Sequence, residues 1–186
     1  MIGLESGMEN KGKNELLSLK RNALMMGLCG QYKDKWDGCC NKRALVNMAL
    51  DSNGIEFMAD SIAFGWGLSK EYLQGEFGEF MNGLYQCREK GYTSEMYVGA
   101  HGVVSVKSTL VLVGYCKDLE IHIPEHTVCR IYVCGGSRVR VENMGECELF
   151  EYGTDNIIDC IEYDGSNLHR ESISFSKWNN YKEKEK

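Results

Sequence analysis

The sequence has no long apolar run. None of its windows of about 18 residues is apolar throughout, and a membrane-spanning helix needs an apolar segment of that length. The N-terminal stretch MIGLESGMENKGKNELL also lacks an apolar run of the length found in secretory signal peptides. We therefore expect no membrane partner and predict a cytoplasmic location.

Proline is nearly missing, with one residue among 186. Hydrophobic residues make up 43% of the chain and charged residues 26%, which is typical of a globular protein and not of a disordered one. A chain of this length buries about 70% of its unfolded surface, so it needs neither a metal nor a disulfide to fold. One large domain or two small ones are expected.

Neither half of the chain has an excess of basic residues. Residues 1–90 carry 11 Lys/Arg and 12 Asp/Glu, and residues 91–186 carry 10 and 15. Proteins that bind nucleic acid usually have a basic surface, because they neutralise phosphate charges. A nucleic-acid partner is therefore not expected.

Motifs of catalysis and of phosphate binding are missing as well. The chain contains no GxSxG, GxGxxG or Walker sequence, so we predict no catalytic residue and no cofactor. Its nine cysteines include no CxxC pair, and without a secretory leader they are expected to be reduced thiols. An enzyme whose site is assembled from distant residues remains an alternative hypothesis.

Apolar residues recur with helical spacing up to about position 90, which predicts a four-helix domain over residues 1–90. Asn14, Asn41 and Ser69 are the expected caps of the first, second and fourth helices, and the third is predicted over residues 55–64. The predicted inward faces are Leu16, Leu19, Ala23 and Met26 in the first helix, and Leu73, Phe77, Phe80, Met81 and Leu84 in the fourth.

The apolar period changes to two after residue 90, which predicts an all-β domain over residues 91–175 and a polar tail over residues 176–186. Alternating segments begin at positions 119, 129, 138, 147 and 158, at nearly even intervals. Such strands favour a short β-solenoid with one or two strands per coil, and an antiparallel sandwich is the alternative. Residues 99–102 are predicted to close a hairpin. The fold class is α+β.

One segment resembles the helix-turn-helix of AraC-type regulators. The residues that carry the resemblance are Ala59, Gly65, Ser69, Tyr72, Leu73 and Phe77. A recognition helix presents polar and basic groups to DNA, whereas Lys70 is followed here by three carboxylates, Glu71, Glu76 and Glu79. A packed helix is the favoured interpretation, and a DNA-binding regulator is a further alternative.

Histidine and cysteine concentrate in one stretch, which contains Cys116, His122, His126, Cys129 and Cys134. Their spacing matches no common zinc pattern. In the predicted strands, His122 faces away from the apolar set to which Cys129 belongs. Because ligands on opposite faces cannot share one tetrahedral ion, we predict no metal site and no structural zinc.

The predicted strands also present a row of mixed charge outwards, formed by Glu120, His122, Arg130, Tyr132, Arg138, Arg140 and Glu142. A polar row of this kind suits a binding face. Trp66, Tyr132 and Arg140 are the candidate binding residues, since aromatic residues and arginine anchor protein–protein interfaces. The leading hypothesis is a non-catalytic binding or regulatory protein whose partner is another protein.

Three runs resemble a group of small uncharacterised proteins of gut bacteria and their mobile elements: LLSLKRNALMMGLCGQYKDKWDGC, ADSIAFGWGLSKEY and GYTSEMYVG. The resemblance covers most of the chain and implies the same two-part organisation. It implies an association with mobile elements, and it brings no activity, cofactor or site residue.

Overall fold

The structure, a computed structural model, describes Lys20 and residues 30–65, 68–87 and 92–174. Helices precede strands, so the predicted α+β class is confirmed. The helices are α1 (Gly30–Asp37), α2 (Lys42–Ala49), α3 (Ser52–Ala63) and α4 (Lys70–Phe77), followed by a 3-10 turn at Gly78–Phe80. The sequence did not predict α1. The helix that Asn14 was predicted to cap lies outside the described residues.

Polar side chains cap three of these helices. Asn41 accepts a hydrogen bond from a first-turn N–H of α2 at 2.9 Å, and Ser69 accepts one from Tyr72 in α4 at 3.2 Å. Both caps were predicted. Asp51 caps α3 by accepting from the N–H of Gly54 at 2.9 Å. These contacts satisfy backbone donors that have no partner within the first turn of a helix.

The fourth helix is shorter than predicted. It ends at Phe77 and not near Leu84, because glycines near its end lower the helical propensity. Asn82 then adopts a left-handed conformation with φ 61°, and its Oδ1 accepts a hydrogen bond from Val98 N at 3.0 Å. The chain continues as strand β1 (Gly83–Cys87), so the first strand lies inside the range predicted as helical.

The described part of the chain contains ten strands, which form two sheets. Sheet A contains β1, β2 (Tyr92–Val98), β4 (Leu110–Gly114), β6 (Val128–Cys134), β8 (Glu146–Tyr152) and β10 (Asn167–Ile173). Sheet B contains β3 (Gly102–Ser105), β5 (Leu119–Ile123), β7 (Arg138–Asn143) and β9 (Ile157–Glu162). From β2 onwards, successive strands alternate between the two sheets.

This alternation defines a parallel β-solenoid with two strands per coil. All neighbouring strands are parallel except β1, which is antiparallel to β2. Leu110 lies opposite Arg130, and Arg130 lies opposite Glu148, so one coil takes 20 residues and the next takes 18. The solenoid prediction is confirmed, and the antiparallel sandwich is excluded.

The predicted hairpin at residues 99–102 is wrong. Strand β2 pairs in parallel with β4, whereas β3 pairs in parallel with β5 in the other sheet. Gly99 and Gly102 have φ values of 64° and 90°, a region that favours glycine, and they form a corner that carries the chain from sheet A to sheet B.

Apolar residues between the two sheets form the interior of the solenoid. Strand β5 alternates as predicted, with Leu119, Ile121 and Ile123 buried and the residues between them half-buried. The neighbouring strands contribute further residues to this core, among them Val111, Val113, Ile131, Val133, Val139, Val141 and Leu149. Cys129 and Cys147 lie opposite each other in this core, so small thiols stack between successive coils.

A second core lies between sheet A and the helices. Ile55 and Ile62 of α3 belong to the same apolar cluster as Leu112 and Tyr132 of sheet A. Sheet A is therefore covered on both faces, whereas only the inner face of sheet B is covered within the described ranges. The predicted tail, residues 176–186, lies outside those ranges.

Candidate functional site

The outer face of sheet B is a polar surface that the described elements leave open. The parallel register aligns its outward side chains in rows across the strands. The first row contains Val103, Glu120, Arg140 and Asp159, and the second contains Ser105, His122, Glu142 and Ile161. A third, shorter row contains Arg138 and Ile157. We call these ten residues the polar face. Because strands alternate their side chains, the residues between them point into the solenoid core.

Three residues converge near the centre of the polar face. Nε2 of His122 lies 2.5 Å from Oε1 of Glu120 and 3.5 Å from Oε2 of Glu142. One ligand atom from each of the three side chains lies within 4.8 Å of the other two. Nη2 of Arg140 contacts the other oxygen of Glu142, Oε1, at 3.0 Å. The face thus places two carboxylates, one imidazole and one guanidinium together.

From the sequence, these four residues were predicted only as members of an outward row of mixed charge, and not as a cluster. Glu120 and His122 are two positions apart on one strand, so their common face was predictable. Their contact with Glu142 depends on the pairing of β5 with β7, which sets His122 directly opposite Glu142. The 20-residue separation of His122 and Glu142 equals the length of one coil, so it could have indicated their contact. That separation is informative only once a coil is known to contain two strands.

Exposed apolar side chains lie at the two edges of the polar face. Val103 on β3 is 65% exposed and Ile157 on β9 is 56% exposed. Arg138 is also exposed, and its guanidinium lies 3.8 Å from the carboxylate of Asp118. Single exposed apolar residues are common, but here they flank charged rows on one ordered sheet.

Of the three candidate binding residues, Arg140 lies on the polar face as predicted. Its side chain is 49% exposed. Trp66 lies outside the described residues. Tyr132 belongs to sheet A and is 1% exposed, so its assignment to an outward polar row is wrong.

The helices cover the side of β6 on which Tyr132 lies. Its ring stacks on Phe150 with centroids 5.3 Å apart, and its hydroxyl donates to Oε1 of Glu56 at 3.4 Å. Burial, with the Glu56 carboxylate nearby, raises the pKa of Tyr132 above its usual value. Tyr132 therefore anchors α3 to the sheet and is not available to a partner.

The cysteine and histidine residues that concentrate between positions 116 and 134 do not form one site. His122 lies on the polar face, Cys129 lies in the solenoid core, and His126 lies exposed in a turn with φ 61°. The opposition of His122 and Cys129 that the sequence predicted is confirmed. This set of residues cannot hold one tetrahedral ion.

The buried thiols are poor nucleophiles. Burial raises the pKa of Cys116 to about 11 and also raises the pKa of Cys134. A hydrogen bond with Cys129, together with burial, raises the pKa of Cys147. Because the thiolate is the reactive form, these cysteines behave as small apolar residues.

A groove of about 530 Å³ lies along sheet A, where its strands begin. The residues lining it are Thr109, Leu110, Val128, Cys129, Arg130, Glu146, Cys147, Glu148, Asn167 and His169. Nε of Arg130 bonds Oε2 of Glu148 at 2.5 Å, and His169 lies opposite Glu148 in the strand register. The charges of Arg130 and Glu148 at the centre of the groove thus neutralise each other. This favours a structural role for the ion pair over a role in binding a ligand.

The described part of the segment that resembles a helix-turn-helix includes helix α4. Leu73 and Phe77 of α4 are buried in the core beneath the helices, and Glu76 pairs with Lys42 at 3.0 Å. Glu71 is exposed on the surface of α4. An acidic surface of this kind repels the phosphates of DNA.

The chain matches no protein-family model, no curated protein and no solved structure. Within the described ranges, none of the helices has both the length and the apolar character needed to cross a membrane.

Proposed function

We propose that this protein is a non-catalytic binding or regulatory protein that contacts another protein through the polar face. The observation that carries the proposal is the difference between the outer faces of the two sheets. Helices pack on sheet A, whereas the outer face of sheet B is uncovered within the described residues. Solenoids commonly bind partners through such continuous sheet surfaces.

The charges of the polar face indicate the chemistry of the partner. Arg138 and Arg140 each carry five N–H donors; among the described residues, Arg138 lies near the carboxylate of Asp118 beside the face, and Arg140 contacts Glu142 within it. Donors therefore remain for a carboxylate of the partner, and guanidinium–carboxylate pairs are often bidentate. We expect a partner that offers a carboxylate to Arg140 and apolar side chains to Val103 and Ile157.

The size of the polar face limits the kind of complex it can form. Four strands spaced about 4.8 Å apart, with about five residues of about 3.3 Å each, present roughly 300 Å². A standard interface buries about 800 Å² on each partner. The partner must therefore extend onto the corner turns beside sheet B, and Arg140 near the centre is the proposed anchor.

The proposal includes a cytoplasmic location. Seven cysteines with described side chains are free thiols, and Cys40 among them is exposed. Free and exposed thiols are common where the compartment is reducing. An association with mobile elements, which the sequence resemblance implies, belongs to the same proposal.

The test is to capture the partner from the host lysate and to measure its affinity with purified proteins. Arg140→Ala should weaken binding about tenfold or more, as expected for an arginine at an interface centre. Arg130→Ala is the matched control, because Arg130 is 51% exposed and also pairs with a glutamate, but lies on sheet A.

The control should bind as tightly as the unchanged protein. Equal weakening by both substitutions would place the contact elsewhere. Duplex DNA as the only reproducible ligand at moderate salt, or turnover of a metabolite, would contradict the proposal outright.

A further inference from the structure

The cluster of Glu120, His122 and Glu142 has the donor set of a transition-metal site. Imidazole nitrogen and carboxylate oxygen are both ligands of zinc, and catalytic zinc sites commonly use three protein ligands with one position open. The three ligand atoms lie within 4.8 Å of one another. Ligands about 2.0–2.1 Å from a tetrahedral ion lie roughly 3.3 Å apart, so small rotamer changes suffice to enclose an ion.

The backbone holds these three side chains on rigid elements. Glu120 and His122 are separated on β5 by Ile121, and Glu142 follows Val141 on β7. Both intervening residues are fully buried in the solenoid core and lie opposite each other in the register. Metal sites are better defined on packed strands than on loops, because the ligands need less ordering when the ion binds.

Arg140 orients one of the three proposed ligands. It contacts Oε1 of Glu142, which leaves Oε2 directed towards Nε2 of His122. In metal sites, ligating carboxylates are usually held in this way by an outer hydrogen-bond donor that fixes their orientation. The half-buried environment of the three ligands also reduces competition from water, while solvent still reaches the open position.

We propose that Glu120, His122 and Glu142 bind one divalent transition-metal ion of the zinc class, with a fourth coordination position open to solvent. The imidazole favours such an ion over magnesium or calcium, which prefer sites made of oxygen alone. The proposal departs from the sequence-based prediction of no metal site, which considered only the stretch from Cys116 to Cys134 and not the contact of His122 with Glu142 across two strands. The metal site shares the polar face and Arg140 with the proposed protein contact, but zinc binding is measured on the protein alone, so the two proposals can fail separately.

The experiment is a calorimetric titration of tag-free, chelator-treated protein with zinc chloride at neutral pH. One saturable site per chain is expected. His122→Asn and Glu142→Gln should each weaken zinc binding about tenfold or more, as the loss of one of three ligands requires. His126→Asn is the matched control and should bind zinc normally, since asparagine tolerates the left-handed conformation found there.

A second measurement assigns the ligands directly. The chain has four histidines, and zinc should shift the ring NMR signals of His122 while those of His101, His126 and His169 stay in place. Circular dichroism of each variant establishes that it is folded, and Glu142→Gln preserves side-chain shape if His122→Asn is unstable. The absence of a saturable site, or equal zinc affinity in folded ligand variants and the control, would overturn the proposal.

Discussion

At the scale of single residues, the neighbours Arg130 and Ile131 on β6 lie in opposite environments, one partly exposed to solvent and the other inside the solenoid core. Ile131 is fully buried between the sheets, whereas Arg130 lies half exposed on sheet A and pairs with Glu148. An aspartate at position 131 would be an unpaired charge in an apolar core, where desolvation costs several kcal/mol. An exposed ion pair contributes only about 0–1 kcal/mol.

We therefore predict that Ile131→Asp unfolds the solenoid at room temperature, whereas Arg130→Gln lowers the free energy of unfolding by less than about 1 kcal/mol. Urea denaturation followed by circular dichroism measures both effects. Similar losses from the two substitutions would mean that the register is shifted by one residue, because such a slip exchanges the two faces of a strand.

The alternation of apolar and polar residues predicted which side chains of sheet B point outwards, including Arg140 and His122. It could not predict the burial of Tyr132. A tyrosine between buried neighbours suits an outward polar row and an inter-layer contact equally well. The choice depends on the helices that pack over β6, and the pattern within one strand carries no information about them.

At the scale of elements, the start of α3 is tied to α1 by more than its cap. Asp51 accepts hydrogen bonds from Gly54 N at 2.9 Å and Lys35 Nζ at 3.1 Å, and also from the hydroxyl of Tyr32. Burial alone would raise the pKa of Asp51. The three partners outweigh burial and lower the pKa below 3.8.

We predict that Asp51→Ala lowers the free energy of unfolding by about 2–3 kcal/mol, since it removes a cap together with the hydrogen bonds from Tyr32 and Lys35. Ser69→Ala, which removes only the exposed cap of α4, should cost about 1 kcal/mol. Thermal or urea denaturation compares the two. An equal cost would show that the contacts of Asp51 with α1 contribute nothing.

The lowered pKa of Asp51 fixes how the stability loss in Asp51→Ala should vary with pH. A carboxyl group whose folded pKa is lowered stabilises the protein above its unfolded pKa, and the contribution is lost as the pH falls through the folded pKa. The difference between the unchanged protein and Asp51→Ala should therefore be largest near neutral pH and should shrink below about pH 3.8.

Strand spacing predicted the elements of the solenoid better than their connections. Intervals of nine to eleven residues correspond to half a coil each, because every second strand enters the same sheet. The corner at Gly99 and Gly102 was mistaken for a hairpin because the same glycine-rich sequences serve both. The parallel pairing of β2 with β4 distinguishes a corner from a hairpin. This pairing joins residues that are a whole coil apart in the sequence, so the local pattern does not reveal it.

At the scale of the molecule, the boundary near residue 90 separates two sequence patterns, but the core between sheet A and the helices contains residues from both sides of it. Leu112, Tyr132 and Tyr152 of sheet A are buried in the same cluster as Ile55 and Ile62 of α3. Exposing three large side chains costs about 5 kcal/mol or more, which is comparable with the whole stability of a domain. The solenoid is therefore not expected to be stable once the helices detach.

We accordingly predict that helices and solenoid unfold as one cooperative unit. In native-state hydrogen exchange, the amides of Ala59 in α3 and Leu112 in β4 should report the same opening free energy, because the side chains of both lie in one core. Residues 91–175 expressed alone should lack a cooperative transition, since they would expose the helix-facing side of sheet A. The opposite result would be protection of Leu112 exceeding that of Ala59 by about 2 kcal/mol or more, together with a folded fragment. It would mean that the solenoid is an independent domain and that the helices are an appendage to it.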